Sequence, residues 1–140
     1  MTKSKALGQN IKTLIPFISS AQLKVMVDAT KGEEGEYFCE KFQEYADRVA
    51  SMAKTYETDG QGNKAIVALH YFLRDSDWYI IERDVELEQL QAFGFTILNG
   101  DTQNAELGCV PISEITKYGA ELDIHWTPKP LGQVKSAISN

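Results

Sequence analysis

Apolar and polar residues follow three rhythms along this chain, and each predicts a different kind of element. In the first third, apolar residues recur every three or four positions. Leu7, Ile11, Leu14 and Ile15 predict a helix over residues 5–15. Pro16 ends it, because proline supplies no N–H and restricts the residue before it. Leu23, Val25, Met26 and Val27 predict a second helix over residues 21–30, with Ser19 or Ser20 as N-cap and Gly32 as stop. Phe38, Phe42, Tyr45, Val49 and Met52 then form one helical stripe, predicting a long helix from about residue 33 to 54 that lays this stripe on a sheet. Its acidic first turn (Glu33, Glu34, Glu36) suits the positive end of the helix dipole.

At residue 65 the rhythm changes. Residues 65–72 (AIVALHYF) are almost unbroken apolar sequence and predict a central strand covered on both faces. Arg74 to Asp77 is a polar turn. Residues 78–83 predict a second strand, with Trp78, Ile80 and Glu82 on one face and Tyr79, Ile81 and Arg83 on the other. This hairpin is the expected nucleus. Residues 58–63 (TDGQGN) separate a helical half, 1–57, from a sheet-based half, 64–140, and are too short to link independent domains.

The third rhythm is one of short segments between turn signals. Residues 85–92 predict one or two helical turns. Residues 93–98 predict a third strand, closed by Asn99-Gly100-Asp101. Residues 106–112 predict a fourth, with Pro111 at its end or on an edge. Ser113 is the expected cap of a short helix over 114–118, closed by Gly119. Residues 121–126 alternate, with Leu122, Ile124 and Trp126 inward and Glu121, Asp123 and His125 outward. A last helix follows over 131–138. The expected fold is α+β, one domain, with the helices packed on one face of a mostly antiparallel sheet of four or five strands.

Composition narrows the function. A chain of 140 residues that is 43% apolar can bury a core without disulfides or metal. A net charge of −6 argues against a general binder of nucleic acid or anionic membranes. The charge is uneven. Residues 1–31 hold five lysines against Asp28, whereas residues 32–63 hold eight acids against three bases. Cys39 lies between Glu36 and Glu40, which disfavour a thiolate. Both Cys39 and Cys109 read as small core fillers with reduced thiols. Residues 1–5 are polar, and no apolar run approaches the ~20 residues of a membrane span, so a cytoplasmic protein is expected.

Chemical motifs are sparse. Gly60 and Gly62 precede a strand rather than a helix, unlike a phosphate loop. Neither a Gly-x-Ser-x-Gly elbow nor a Cys-x-x-Cys or His-Glu-x-x-His zinc motif occurs. The best metal constellation is His70, Glu82 and His125, with Asp123 as an optional fourth ligand. Against it, His70 shares a face with Ile66, Ala68 and Phe72, which favours a buried, hydrogen-bonded structural histidine. Two acidic groups stand out. Glu36, Glu40, Glu44 and Asp47 line the outer side of the third helix. Asp75, Asp77, Glu82 and Asp84 surround the hairpin without the ligand spacing of an EF-hand. Each is either a solvated surface or a face for a basic partner.

Several segments of the second half carry a resemblance. They are His70-Tyr71-Phe72, Asp77 to Asp84 (DWYIIERD), Ala92-Phe93-Gly94-Phe95, Glu106-Leu107-Gly108, Ile112-Ser113-Glu114-Ile115 and residues 121–131 (ELDIHWTPKPL). Over about half the chain the sequence resembles a family of uncharacterised proteins carried on conjugative plasmids and related bacterial mobile elements. The resemblance implies no chemistry. Such genes often travel with antirestriction and anti-CRISPR functions. The expectation is therefore a non-enzymatic inhibitor that binds a basic host nucleic-acid-targeting complex, with carboxylates standing where phosphates would sit. Glu36, Glu40, Glu44, Asp47, Asp75, Asp77, Glu82 and Asp84 are its expected contact residues, and no cofactor is expected. The alternatives are a small metal-dependent enzyme using His70, Glu82 and His125, and a plasmid accessory protein that touches nucleic acid through Lys3, Lys5 and Lys12.

Overall fold

A computed structural model describes residues 2–139. The N-terminal helices are α1 (Lys3–Leu14), α2 (Ser20–Ala29) and α3 (Gly35–Ser51). Thr2 caps α1, and Pro16 turns the chain through a short 3-10 segment, Ile15–Phe17. Ser19 is the cap of α2, its Oγ accepting from Gln22 N at 3.1 Å. The third helix begins at Gly35 rather than Glu33. Its first residue packs so closely on the end of α2 that a Cβ there would lie 2.3 Å from Thr30 O.

The second half supplies β1 (Ile66–Val67), β2 (Leu69–Leu73), β3 (Ser76–Glu82), β4 (Ala92–Ile97), β5 (Glu106–Val110), α4 (Ile112–Lys117), β6 (Glu121–Leu122), β7 (Lys129–Pro130) and α5 (Leu131–Ser139). Five strands form one antiparallel sheet in the order β5-β4-β3-β2-β6. A two-residue turn, Arg74-Asp75, joins β2 to β3 and sets Leu73 opposite Ser76. The chain is thus α+β, as its patterning predicts.

Both faces of the sheet are covered. Leu69, Tyr71, Trp78, Ile80, Ala92, Val110 and Leu122 meet the helical layer, where Phe42, Tyr45 and Val49 of α3 are buried with Leu14, Phe17 and Met26. The Tyr71 hydroxyl donates to Phe17 O and pins the central strand to the turn after α1. On the other face Tyr79, Ile81, Phe95 and Ile97 pack under Leu131 and Val134 of α5. The placement of all helices on one face is therefore corrected. The apolar face of α5 follows β7 directly and folds back over the opposite side.

Four local expectations also change. The run 65–72 breaks at Ala68, so that β1 pairs with β7 while β2 enters the main sheet. Residues 85–92 are not helical. Gln89 adopts a φ of 54°, and its side chain binds the backbone of Asp84 and Glu86. The predicted strand 121–126 stops after Leu122, because Asp123 Oδ1 accepts from His125 N and turns the chain. Ser113 does not cap α4, which starts at Ile112 without a side-chain cap.

Candidate functional site

The long stripe of α3 faces the core, so its other side must face water. Glu36, Glu40, Glu44 and Asp47 are all exposed there. Glu44 is held by Arg48 at 2.8 Å and by Lys41 at 3.3 Å, and Asp47 accepts from Gln43 at 2.9 Å. Glu36 and Glu40 border a groove of about 480 Å³ between α1 and α3, lined also by Lys3, Leu7, Asn10 and Cys39. Around the corner Glu33, Glu34, Glu36, Tyr37 and Phe38 line an open cleft of about 590 Å³ with Ile124 and His125. The Tyr37 hydroxyl lies 3.5 Å from His125 Nδ1 across this cleft. Carboxylates beside aromatic faces suit a cationic side chain of a partner. The sequence singles out His125 as an outward-facing metal-ligand candidate and does not single out Tyr37; the acidic turn followed by Tyr37-Phe38 carries the signal for the cleft.

The hairpin acids do not form a second face. Asp75 is exposed at the turn, and Asp77 is turned toward His70. Glu82 and Asp84 are buried, which removes them from any docking surface. The Glu82 carboxylate accepts from Tyr56 N at 2.8 Å, from Thr58 N at 2.9 Å and from Thr58 Oγ1. Asp84 accepts from Glu86 N and Gln91 N, both at 3.0 Å. Each carboxylate folds a loop, since buried backbone N–H groups need acceptors.

His70 is likewise committed. Its Nδ1 is 2.9 Å from Asp123 Oδ2 and its Nε2 is 2.7 Å from Asp77 Oδ1. The ring stacks on Tyr79 at 4.7 Å and lies 5.2 Å from Trp126. Burial disfavours the charged ring, but hydrogen bonds and charge from Asp77 and Asp123 outweigh it and raise the pKa. Burial, followed by the charges of Asp77 and Asp123, pushes Tyr79 up to about 12. A neutral imidazole would aim a lone pair at one carboxylate, so the bracket favours imidazolium.

The proposed metal set is not assembled. Both His70 nitrogens are occupied by carboxylates, Glu82 binds the 56–58 loop, and His125 borders the cleft at Tyr37. Among the described residues no group of three or more His, Cys, Asp and Glu side chains is placed to hold a metal ion. Lys3, Lys5 and Lys12 are exposed on α1, but Lys3 adjoins Glu36 and Glu40, so the basic and acidic surfaces touch. Both cysteines are free. Cys39 is half-buried, and Cys109 is exposed on β5 rather than a core filler. Among the described residues no helix is long and apolar enough to cross a membrane.

Comparison with protein-family models, curated proteins and solved structures finds no match.

Proposed function

We propose that the chain acts by binding, as a non-enzymatic interaction protein of a mobile genetic element that blocks a basic, nucleic-acid-handling host complex. The observation that carries this reading is the row of exposed carboxylates on α3, Glu36, Glu40, Glu44 and Asp47, extended by Glu33 and Glu34 at the aromatic cleft. Among the described residues, Glu44 alone of this row is ion-paired, with Lys41 and Arg48, and Asp47 accepts only from the neutral Gln43. These carboxylates can meet arginines and lysines that otherwise hold phosphate. Long-range attraction speeds such an encounter and makes it sensitive to salt. Host defence complexes are named as the partners from the resemblance to plasmid-borne proteins that the sequence of the second half suggests.

The test uses purified CRISPR effector ribonucleoproteins and restriction nucleases, assayed for DNA binding and cleavage with the protein in excess. The expected result is stoichiometric inhibition of one of them, weakened about tenfold or more by Glu36→Lys with Glu40→Lys and by added salt. Undiminished activity throughout the panel, or inhibition indifferent to these reversals, overturns the proposal.

A further inference from the structure

The two edges of the main sheet are treated differently. A two-residue turn closes on a hydrogen-bonded pair, here Leu73 and Ser76, and the pairs alternate from there. His70 and Phe72 therefore aim their backbone groups at β6, in agreement with the bond from Asp123 N to His70 O at 2.8 Å. The same alternation leaves Leu122 of β6 with its N–H and C=O pointing outward. Gln22 meets both. Its Nε2 donates to Leu122 O at 2.8 Å, and its Oε1 accepts from Leu122 N at 2.9 Å. One side-chain amide thus takes the place of a further strand.

Carried across the sheet in the other direction, the alternation gives the opposite edge. Asp77 and Tyr79 bond Ile97 and Phe95, so Gly94 and Thr96 bond Gly108 and Glu106. The backbone groups of Leu107 and Cys109 then point away from the sheet. No hydrogen bond from either backbone to another segment is seen among the described residues. Exposed edges usually carry Lys, Pro or a bulge that discourages pairing. In β5 such guards stand only at the ends, the charged Glu106 within the strand and Pro111 just after it; the middle, Leu107-Gly108-Cys109, carries no charge, Pro or bulge, and Leu107 is 41% exposed.

We infer that β5 is the interface with a second copy of this chain, joined edge to edge and antiparallel about a two-fold axis at Gly108. This register is the one in which the free groups of Leu107 meet those of Cys109 in both directions. Gly108 faces Gly108 of the second copy at a non-hydrogen-bonded position, where backbones approach most closely and no side chain intervenes. Glu106 faces Val110, so like charges are not opposed. Leu107 and Cys109 of both copies fall on one face and cover one another. The continuous sheet excludes water from the open edge.

Sedimentation of the full chain over a concentration series reads this directly. The expected mass is that of two chains, with association strengthened by salt because each copy carries a net charge of −6. This is opposite to the salt response of the proposed partner complex, so the two readings fail separately. Leu107→Lys is expected to restore the mass of one chain with an unchanged circular dichroism spectrum. In the wild type, a short bismaleimide is expected to join the two Cys109 thiols, which lie diagonally across the two-fold, and Cys109→Ser is expected to abolish the product. A single-chain mass at every concentration, or a dimer that withstands Leu107→Lys and gives no Cys109 cross-link, overturns the inference.

Discussion

His70 Nδ1 lies 2.9 Å from Asp123 Oδ2, joining the middle of β2 to the turn that ends β6. With Asp77 on the other nitrogen, the ring is a charged rivet between three segments. Its pKa is raised above the ordinary 6.5, so the folded state binds the proton more tightly than the unfolded chain. That stabilisation is complete below about pH 6.5 and is lost as pH rises through the folded-state pKa. The urea midpoint of the wild type should fall over this window. His70→Gln should be less stable at pH 6 and flat across the same range. A midpoint that rises with pH there, or a variant with the wild-type slope, would contradict the rivet.

Glu82 should behave as a loop anchor. Its removal strands Tyr56 N and Thr58 N, which it now meets at 2.8 and 2.9 Å, and Tyr56 is held at a φ of 69°. Glu82→Ala is expected to cost about 2 kcal/mol, because two part-buried backbone donors lose a charged acceptor. Urea denaturation measures this, and a cost under about 1 kcal/mol would be inconsistent with an anchoring role. Reversing the charge at this position would report on folding, not on partner recognition.

The patterning made the elements legible wherever one periodicity ruled a whole segment. The stripe from Phe38 to Met52 appears where its spacing puts it, whereas the expected turn Arg74 to Asp77 shrinks to Arg74-Asp75, because Ser76 and Asp77 pair with Leu73 and Phe72 as the start of β3. Residues 85–92 are expected to form one or two helical turns, whereas their structure is set by the Asp84 and Gln89 side chains bonding the loop. Local spacing does not encode such bonds. The same holds for the site. His70 is hydrogen-bonded as expected but only half-buried, and the apolar face it was expected to share is not core, since Ile66 and Phe72 are exposed; what holds it is a bond to Asp123 across 53 residues. The hairpin acids look alike in sequence, yet Asp75 is exposed and Glu82 is buried, a difference made by the 56–58 loop.

Two glycines on the paired strands β4 and β5 should respond oppositely to a methyl group. A Cβ at Gly94 would lie 2.3 Å from Tyr79 O and 3.0 Å from Ile80 Cα, both backbone atoms of the neighbouring strand. Gly94→Ala is expected to cost about 3 kcal/mol or to prevent folding. A Cβ at Gly108 meets nothing within 4 Å inside the chain. In the Leu107→Lys background, where the proposed pairing of two copies is removed, Gly108→Ala should stay within about 0.5 kcal/mol of its parent. Equal effects in paired thermal melts would show that the β3–β4 approach is looser than described.

The acidic side of α3 should be dispensable for folding, which is what makes it testable for binding. Glu36 and Glu40 make no ion pair among the described residues. Glu36→Lys loses a favourable charge at the helix start, worth about 0.3–1 kcal/mol. Glu40→Lys lies further along the helix and should cost less. The double variant is expected to remain within about 1.5 kcal/mol of wild type by urea denaturation. A larger loss would mean that these carboxylates serve the packing of α1 on α3.

Gln22 offers the sharpest separation of structure from surface. It lies a hundred residues before Leu122, yet its amide satisfies both outward groups of that residue. Gln22→Ala leaves a donor and an acceptor at the sheet edge and is expected to cost about 1–3 kcal/mol. Gln22→Glu is more telling. The carboxylate still accepts from Leu122 N, but it brings a charged oxygen against Leu122 O where a donor stood. It should therefore recover little of the loss at neutral pH and recover more when acidified, since a protonated carboxyl can donate again. Urea midpoints of the two variants at pH 7 and pH 4, each normalised to wild type, measure this. Full recovery by Glu at pH 7 would mean that only the N–H of Leu122 needs a partner and that water serves its carbonyl.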